Sequence, residues 1–127
     1  MNTYRVLLDS RYSVEEIYER TKNEEYNTGT WIECKNISEF AKLITNNNLE
    51  NDIMPDMISL EFNLGFDIQD KTINRNAESG PDAVKWLVEF CQHRRQKLPD
   101  YLVHAENPQQ ARDLRVILNN SKDYYNL

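Results

Sequence analysis

The sequence predicts an α/β domain: a three-layer, doubly wound, parallel sheet of four strands in the order 2-1-3-4. Three observations predict it. Short apolar runs alternate four times with longer segments of helical period. The connections between them are short, and right-handed crossovers then require parallel strands. Polar residues gather at the carboxyl ends of the apolar runs, the edge at which an open α/β sheet presents its ligands.

The first strand is "YRVLLD" (4–9), a compact apolar run that closes on Asp9. "SVEEIYERTKNEEY" (13–26) follows as a helix, with Ser13 as N-cap, Glu16 three residues on, and Val14, Ile17 and Tyr18 at helical spacing. Gly29 is read as the stop of that helix, and "TWIEC" (30–34) as the second strand. In "NISEFAKLITNNN" (36–48), Asn36 caps a helix whose apolar face carries Ile37, Phe40, Ala41 and Ile44. Pro55 precedes the third strand, which opens "MISLEFNLG" (57–65). Residues 66–78 keep no period and read as a long loop, which in a compact domain marks function or mobility.

Ser79 or Gly80 then starts the strongest helix, "PDAVKWLVEFCQHRRQK" (81–97). Pro81 suits its first turn, Asp82 its positive end and the basic run its negative end. Pro99 precedes the fourth strand, "YLVHA" (101–105). "NPQQARDLRVILNN" (107–120) is the last helix, capped by Asn107, and the tail "SKDYYNL" is expected to fray. Leu7, Ile58, Leu60 and Val103 are the expected core of the sheet. This is a truncated flavodoxin-like arrangement, with the ends of strands 1 and 3 together at the switch point.

The 127 residues make one domain, 1–127, with no internal repeat or second unit. No apolar run approaches the length of a membrane span, and the amino-terminal apolar stretch is too short for a secretory signal. Cys34 and Cys91 lie inside regular elements without CxxC spacing, so they read as buried free thiols in a reducing, cytoplasmic compartment. The chain has a net charge of −6. That excludes general affinity for nucleic-acid backbone, although one local cation or helix amino terminus can still hold a phosphate.

The topology brings four strand-end segments to one edge: Asp9-Ser10-Arg11, Glu61-Phe62-Asn63, Gly80-Pro81-Asp82 and His104-Ala105-Glu106-Asn107. Asp9, Glu61 and Asp82 could hold a hard cation such as Mg²⁺ through oxygen. Arg11 could grip a phosphate by its fork, and His104 could serve as a general acid/base. The helix starts at Pro81 and Pro108 could offer amides to an anion. Each has a structural alternative: Asp9 as a helix cap, Asp82 as a first-turn dipole partner, Arg11 as a solvated side chain, His104 as a satisfied half-buried histidine. No GxxxxGK[ST], GxSxG, HExxH or paired CxxC pattern is present.

In this order the four segments resemble the cyclic-phosphate processing receiver-like domain, a variant of the response-regulator receiver fold. Its strand and helix ends read "LDD.R", "SLDHDLG", "G.D...WL" and "HSANP". The counterparts here are "LDSR" (8–11), "SLEFNLG" (59–65), "GPDAVKWL" (80–87) and "HAENP" (104–108). Gly65, Gly80, Asp82, Trp86, His104, Asn107 and Pro108 match, whereas Ser10, Glu61, Phe62 and Asn63 depart at the polar centre. The resemblance implies, for an active member, a cyclic phosphate phosphodiesterase-like hydrolase. With the family's two-histidine scheme reduced by Phe62 to His104 alone, the residues at this edge leave His104 with Glu61 for any acid/base step and Asp9, Arg11, Asn63, Asp82 and Asn107 around the ligand.

The departures imply altered or lost chemistry. Phe62 transfers no proton, Asn63 and Ser10 replace charged oxygens by neutral ones, and Glu61 sets its carboxylate one methylene further out. No metal ligand set is assigned, and Mg²⁺ is expected to bind weakly. No lysine marks the fourth strand and Glu61 is a poor phosphoacceptor, so a phospho-switch is not expected. Two function classes follow. One is a site for a phosphate-bearing, nucleotide-like small molecule. The other is a protein-interaction module, inhibitor or adaptor, on a decayed scaffold, which would suit a phage-like or other virus-encoded protein working in host cytoplasm.

Overall fold

The computed structural model describes residues 3–67, 69–74 and 77–127. Along the chain run β1 (Arg5–Leu8), α1 (Val14–Thr21), a 3₁₀ turn (Glu24–Asn27), β2 (Trp31–Cys34), α2 (Ile37–Asn51) and β3 (Met57–Leu60). Then come β4 (Phe66–Asp67), β5 (Thr72–Ile73), α3 (Gly80–Arg94), β6 (Asp100–Val103) and α4 (Pro108–Tyr124). The main sheet has the order β2-β1-β3-β6, all parallel, which is the expected 2-1-3-4. The fold is receiver/flavodoxin-like.

The helix starts follow their capping chemistry. Ser13 Oγ accepts from the Glu16 amide and Glu16 accepts from the Ser13 amide, closing a capping box. Asn36 Oδ1 accepts from Glu39 N at 2.8 Å. At α3 the Asp82 carboxylate accepts from both the amide and the hydroxyl of Ser79.

Helix ends were harder to read. α1 stops at Thr21, well before Gly29, because Lys22 turns left-handed (φ 55°) and returns its N–H to Tyr18. Thr21 Oγ1 bonds back to the Ile17 carbonyl, and Asn23 caps the 3₁₀ turn through Glu25 N. Such side-chain bonds compete with helix continuation. At the other end of the chain, α4 runs on to Tyr124 through much of the tail expected to fray.

The stretch 66–78 is not wholly loop, since β4 and β5 pair antiparallel within it. Two residues per strand are too few to show a period. The loop expectation at positions 68, 75 and 76 lies outside the described residues.

The strands bury both faces. Val6, Leu8, Ile58 and Leu60 pack with Phe40 and Ile44 of α2, Val84 and Leu87 of α3, and Leu114 and Leu118 of α4. Leu7 turns to the opposite face, against Ile17 of α1 and Tyr26 of the 3₁₀ turn. Leu7, Ile58 and Leu60 are fully buried as expected, while Val103, on edge strand β6, is only partly buried. Cys34 and Cys91 are buried and free, and burial pushes each thiol up to about 11. Among the described residues no helix is long and apolar enough to cross a membrane.

Candidate functional site at the strand ends

The sheet register builds the site. Leu8, Leu60 and Val103 are partners across β1, β3 and β6. The ladder continues one residue beyond each strand, with Asp9 N bonded to Cys34 O, Glu61 N to Leu8 O and His104 N to Leu60 O, at 3.0–3.1 Å. Asp9, Glu61 and His104 therefore stand at one level on three adjacent strands. Strand alternation turns them to the same face as Leu7, Ser59 and Leu102, the face covered by α1. Their donor atoms lie within 4.8 Å of one another.

His104 is held on both ring nitrogens. Nε2 lies 2.9 Å from Asp9 Oδ2, and Nδ1 lies 2.6 Å from Ser59 Oγ. Ser59 in turn is 2.7 Å from the Tyr26 hydroxyl, and the His104 side chain is fully enclosed. Burial pushes the Asp9 carboxyl upward. The hydrogen bond from His104 and those from the Tyr12 and Arg11 amides outweigh it, so Asp9 is held below the usual carboxylate range. An ionised Asp9 accepts a hydrogen bond from Nε2–H, and in the neutral ring protonated there Nδ1 accepts from Ser59, whose oxygen can accept from Tyr26. In that tautomer the ring has no free lone pair for a substrate. A cation seated among these three groups would first have to break the Asp9–His104 bond.

Glu61 has the opposite environment. Its Oε1 accepts from the Phe62 amide at 2.7 Å and the Asn63 amide at 3.4 Å. Burial nevertheless dominates and raises its carboxyl above the ordinary value, with the nearby Asp9 charge adding to the shift. A raised carboxyl favours folding while it is protonated. That stability is present below the unfolded-state value and lost as pH rises through the folded one. The lowered Asp9 contributes stability above its unfolded value that is lost as pH falls. Glu61→Gln keeps an acceptor and removes the buried charge. It is expected to raise the melting temperature at pH 7 and to leave it unchanged near pH 3, below about pH 4.3 where the unfolded carboxyl protonates. An unchanged or lower value at pH 7 would contradict this.

Apart from the enclosed His104, the expected site residues separate into two groups. Asp9, Arg11, Glu61 and Asn63 line one crevice together with Tyr12, Phe66 and Glu106. Its cavity is about 40 Å³. Of its lining residues, Asn63 donates through Nδ2 to Gln110 Oε1, and the Phe66 amide donates to Ser10 Oγ. Asp82 and Asn107 are employed elsewhere: Asp82 caps α3, and Asn107 Oδ1 accepts from the amides of Gln109 and Gln110. The amides at the start of α4 are thus already satisfied. Phe62 packs against the core beneath α2 and α3.

Tyr12, Phe66, Ser59, Tyr26 and Glu106 all contribute, and none of them is assigned a role by sequence. Ser59 is a fully buried hydroxyl inside an apolar run, and that misfit was its signal. Tyr26 sits in a stretch read as the end of a helix. Glu106 bonds Arg20 at 2.6 Å across the crevice mouth, a contact between segments remote in sequence.

A family model described as the cyclic-phosphate processing receiver domain matches residues 4–120. No curated protein and no solved structure matches the chain.

Proposed function

Since the chain belongs to the cyclic-phosphate processing receiver domain family, we propose that its strand-end crevice binds a phosphate-bearing, nucleotide-like small molecule without turning it over. The observation that carries this reading is the enclosure of His104. A histidine whose two nitrogens serve Asp9 and Ser59 cannot exchange protons with a ligand without breaking the network. Glu61 is the only other candidate acid/base, and its carboxylate is turned onto its own following amides. Arg11 remains available as the phosphate-binding group, with its guanidinium 4.5 Å from the Phe66 ring centre and 4.8 Å from that of Tyr12. Stacking leaves the edge of the guanidinium fork open to an anion. Asn63 lines the same crevice as a neutral polar contact.

The buried, unpaired thiols support a reducing compartment, cytoplasmic in the host or the cell. Mg²⁺ is expected to contribute little to binding, because the carboxylates available to it are committed to His104 and to backbone amides.

The test is a thermal-shift titration with 2′,3′-cyclic AMP and its linear monophosphates, with and without Mg²⁺, followed by product analysis. Ligand at tenfold over Kd stabilises by about 1.4 kcal/mol. That shift is expected for wild type and should vanish in Arg11→Gln. Silence across the panel would sink the ligand reading and favour the interaction module. Hydrolysis that depends on Glu61 or His104 would instead restore the enzyme.

A further inference from the structure

At the crevice mouth one carboxylate collects more donors than its own position in the chain explains. Oε1 of Glu106, in the turn between β6 and α4, lies 2.6 Å from Nη1 of Arg20 and 3.9 Å from Nη1 of Arg11. The Arg20 bond, with help from Tyr12, holds the Glu106 carboxyl below its usual range. Both guanidinium groups come from α1 and the segment leading into it.

The donors are arranged before any ligand arrives. The guanidinium of Arg20 lies 4.4 Å from the Tyr12 ring centre, and that of Arg11 stands over both Tyr12 and Phe66. Two cations beside one ring repel each other unless an anion sits between them. Rings packed beside a guanidinium restrict where its N–H groups can point, which favours a preformed anion site.

We propose that Arg20 joins Arg11 in a two-guanidinium subsite for a phosphoryl group, and that Glu106 occupies this subsite until a ligand displaces it. The proposal rests on the reading of the crevice as a phosphate-ligand site. Its physical basis is an exchange of anions. Arg11, Arg20 and Glu106 are each close to half exposed, so the ion pair is screened and of little net worth. A phosphate monoester brings up to two charges and three acceptor oxygens to the same donors. The small cavity follows as well, since Glu106 lines it and would swing away from it.

The experiment is calorimetry with inorganic phosphate at fixed ionic strength on wild type, Glu106→Gln, Arg20→Gln and the double variant. Binding of 2′,3′-cyclic AMP to wild type, Arg11→Gln and Glu106→Gln is measured alongside. Glu106→Gln should bind phosphate about two- to fivefold more tightly, the scale of one exposed ion pair removed from competition. Arg20→Gln should weaken phosphate binding and cancel that gain in the double variant. Equal or weaker phosphate binding by Glu106→Gln, or a gain that survives loss of Arg20, would overturn the proposal. So would the absence of phosphate binding in every variant. Arg11-dependent binding of cyclic AMP that is indifferent to Glu106 would overturn the subsite and leave the crevice reading standing. Phosphate binding gained with Glu106→Gln, without any response to cyclic AMP, would uphold the subsite and overturn the nucleotide-like ligand.

Discussion

His104→Ala is expected to destabilise the protein by about 2–3 kcal/mol. The imidazole is enclosed, so its removal leaves a cavity and two buried partners without their hydrogen bonds, Asp9 and Ser59. A charged group stranded by loss of its buried partner can cost about 3–5 kcal/mol. Asp9 is not stranded completely, because Oδ1 still accepts from the Arg11 and Tyr12 amides at 2.7 and 2.9 Å. That places the expected loss toward the lower values. Tyr26→Phe, which removes only the outermost hydroxyl of the chain, should cost about 1 kcal/mol. Urea unfolding measures both. A loss below about 0.5 kcal/mol for His104→Ala, the scale of a surface substitution, would mean that the Asp9–His104–Ser59 chain does not form. The ligand-induced thermal shift should persist in the variant, since the phosphate contacts assigned above come from Arg11 and Arg20. Loss of that shift in a variant that still folds would return His104 to the chemistry.

Much of this architecture was legible because parallel α/β folds repeat a small grammar. Ser13, Asn36 and Asn107 announced helix starts, and the apolar runs before Asp9, Glu61 and His104 announced strands. Topology then placed those three residues side by side without any knowledge of contacts. What could not be read depends on angles and on remote partners. The end of α1 at Thr21 is set by a left-handed Lys22, a conformation that lysine composition does not signal. The β4–β5 pair is shorter than any period. Asp82 and Asn107 stand in segments expected at the ligand edge, and both make helix-capping hydrogen bonds, a geometry that residue type alone does not distinguish from a ligand contact. The Glu106–Arg20 bond joins positions 86 residues apart. In the site itself, Ser59 was the readable clue: a hydroxyl at an inward-facing strand position must find a buried partner.

Gly80→Ala should destabilise by about 2–3 kcal/mol and deform the crevice as well. Considered by propensity alone the change looks favourable, since alanine exceeds glycine by up to about 1 kcal/mol in a helix interior. Gly80 is the first residue of α3, where that gain is smaller, and the surroundings oppose it. A methyl group there would stand 2.6 Å from the Glu61 carbonyl oxygen, 3.0 Å from Leu114 Cδ2 and 3.1 Å from Phe62 Cα. Leu114 can rotate, but the other two are backbone atoms at the carboxyl end of β3. The amide of Gly80 is itself bonded to Phe62 O at 2.8 Å, and Asn63 bridges to Ser79 beside it. The helix start and the strand end therefore cannot separate without breaking this seam. Relief of the clash must move the peptide whose neighbouring amides hold the Glu61 carboxylate. Urea unfolding should register the lost stability, and the phosphate-ligand thermal shift should fall along with it. His104→Ala, by contrast, should lose stability alone, so the two variants separate a defect in the buried chain from one that reaches the crevice wall. A neutral or stabilising Gly80→Ala would show that α3 does not approach β3 so closely, and the position of Glu61 would then need another explanation.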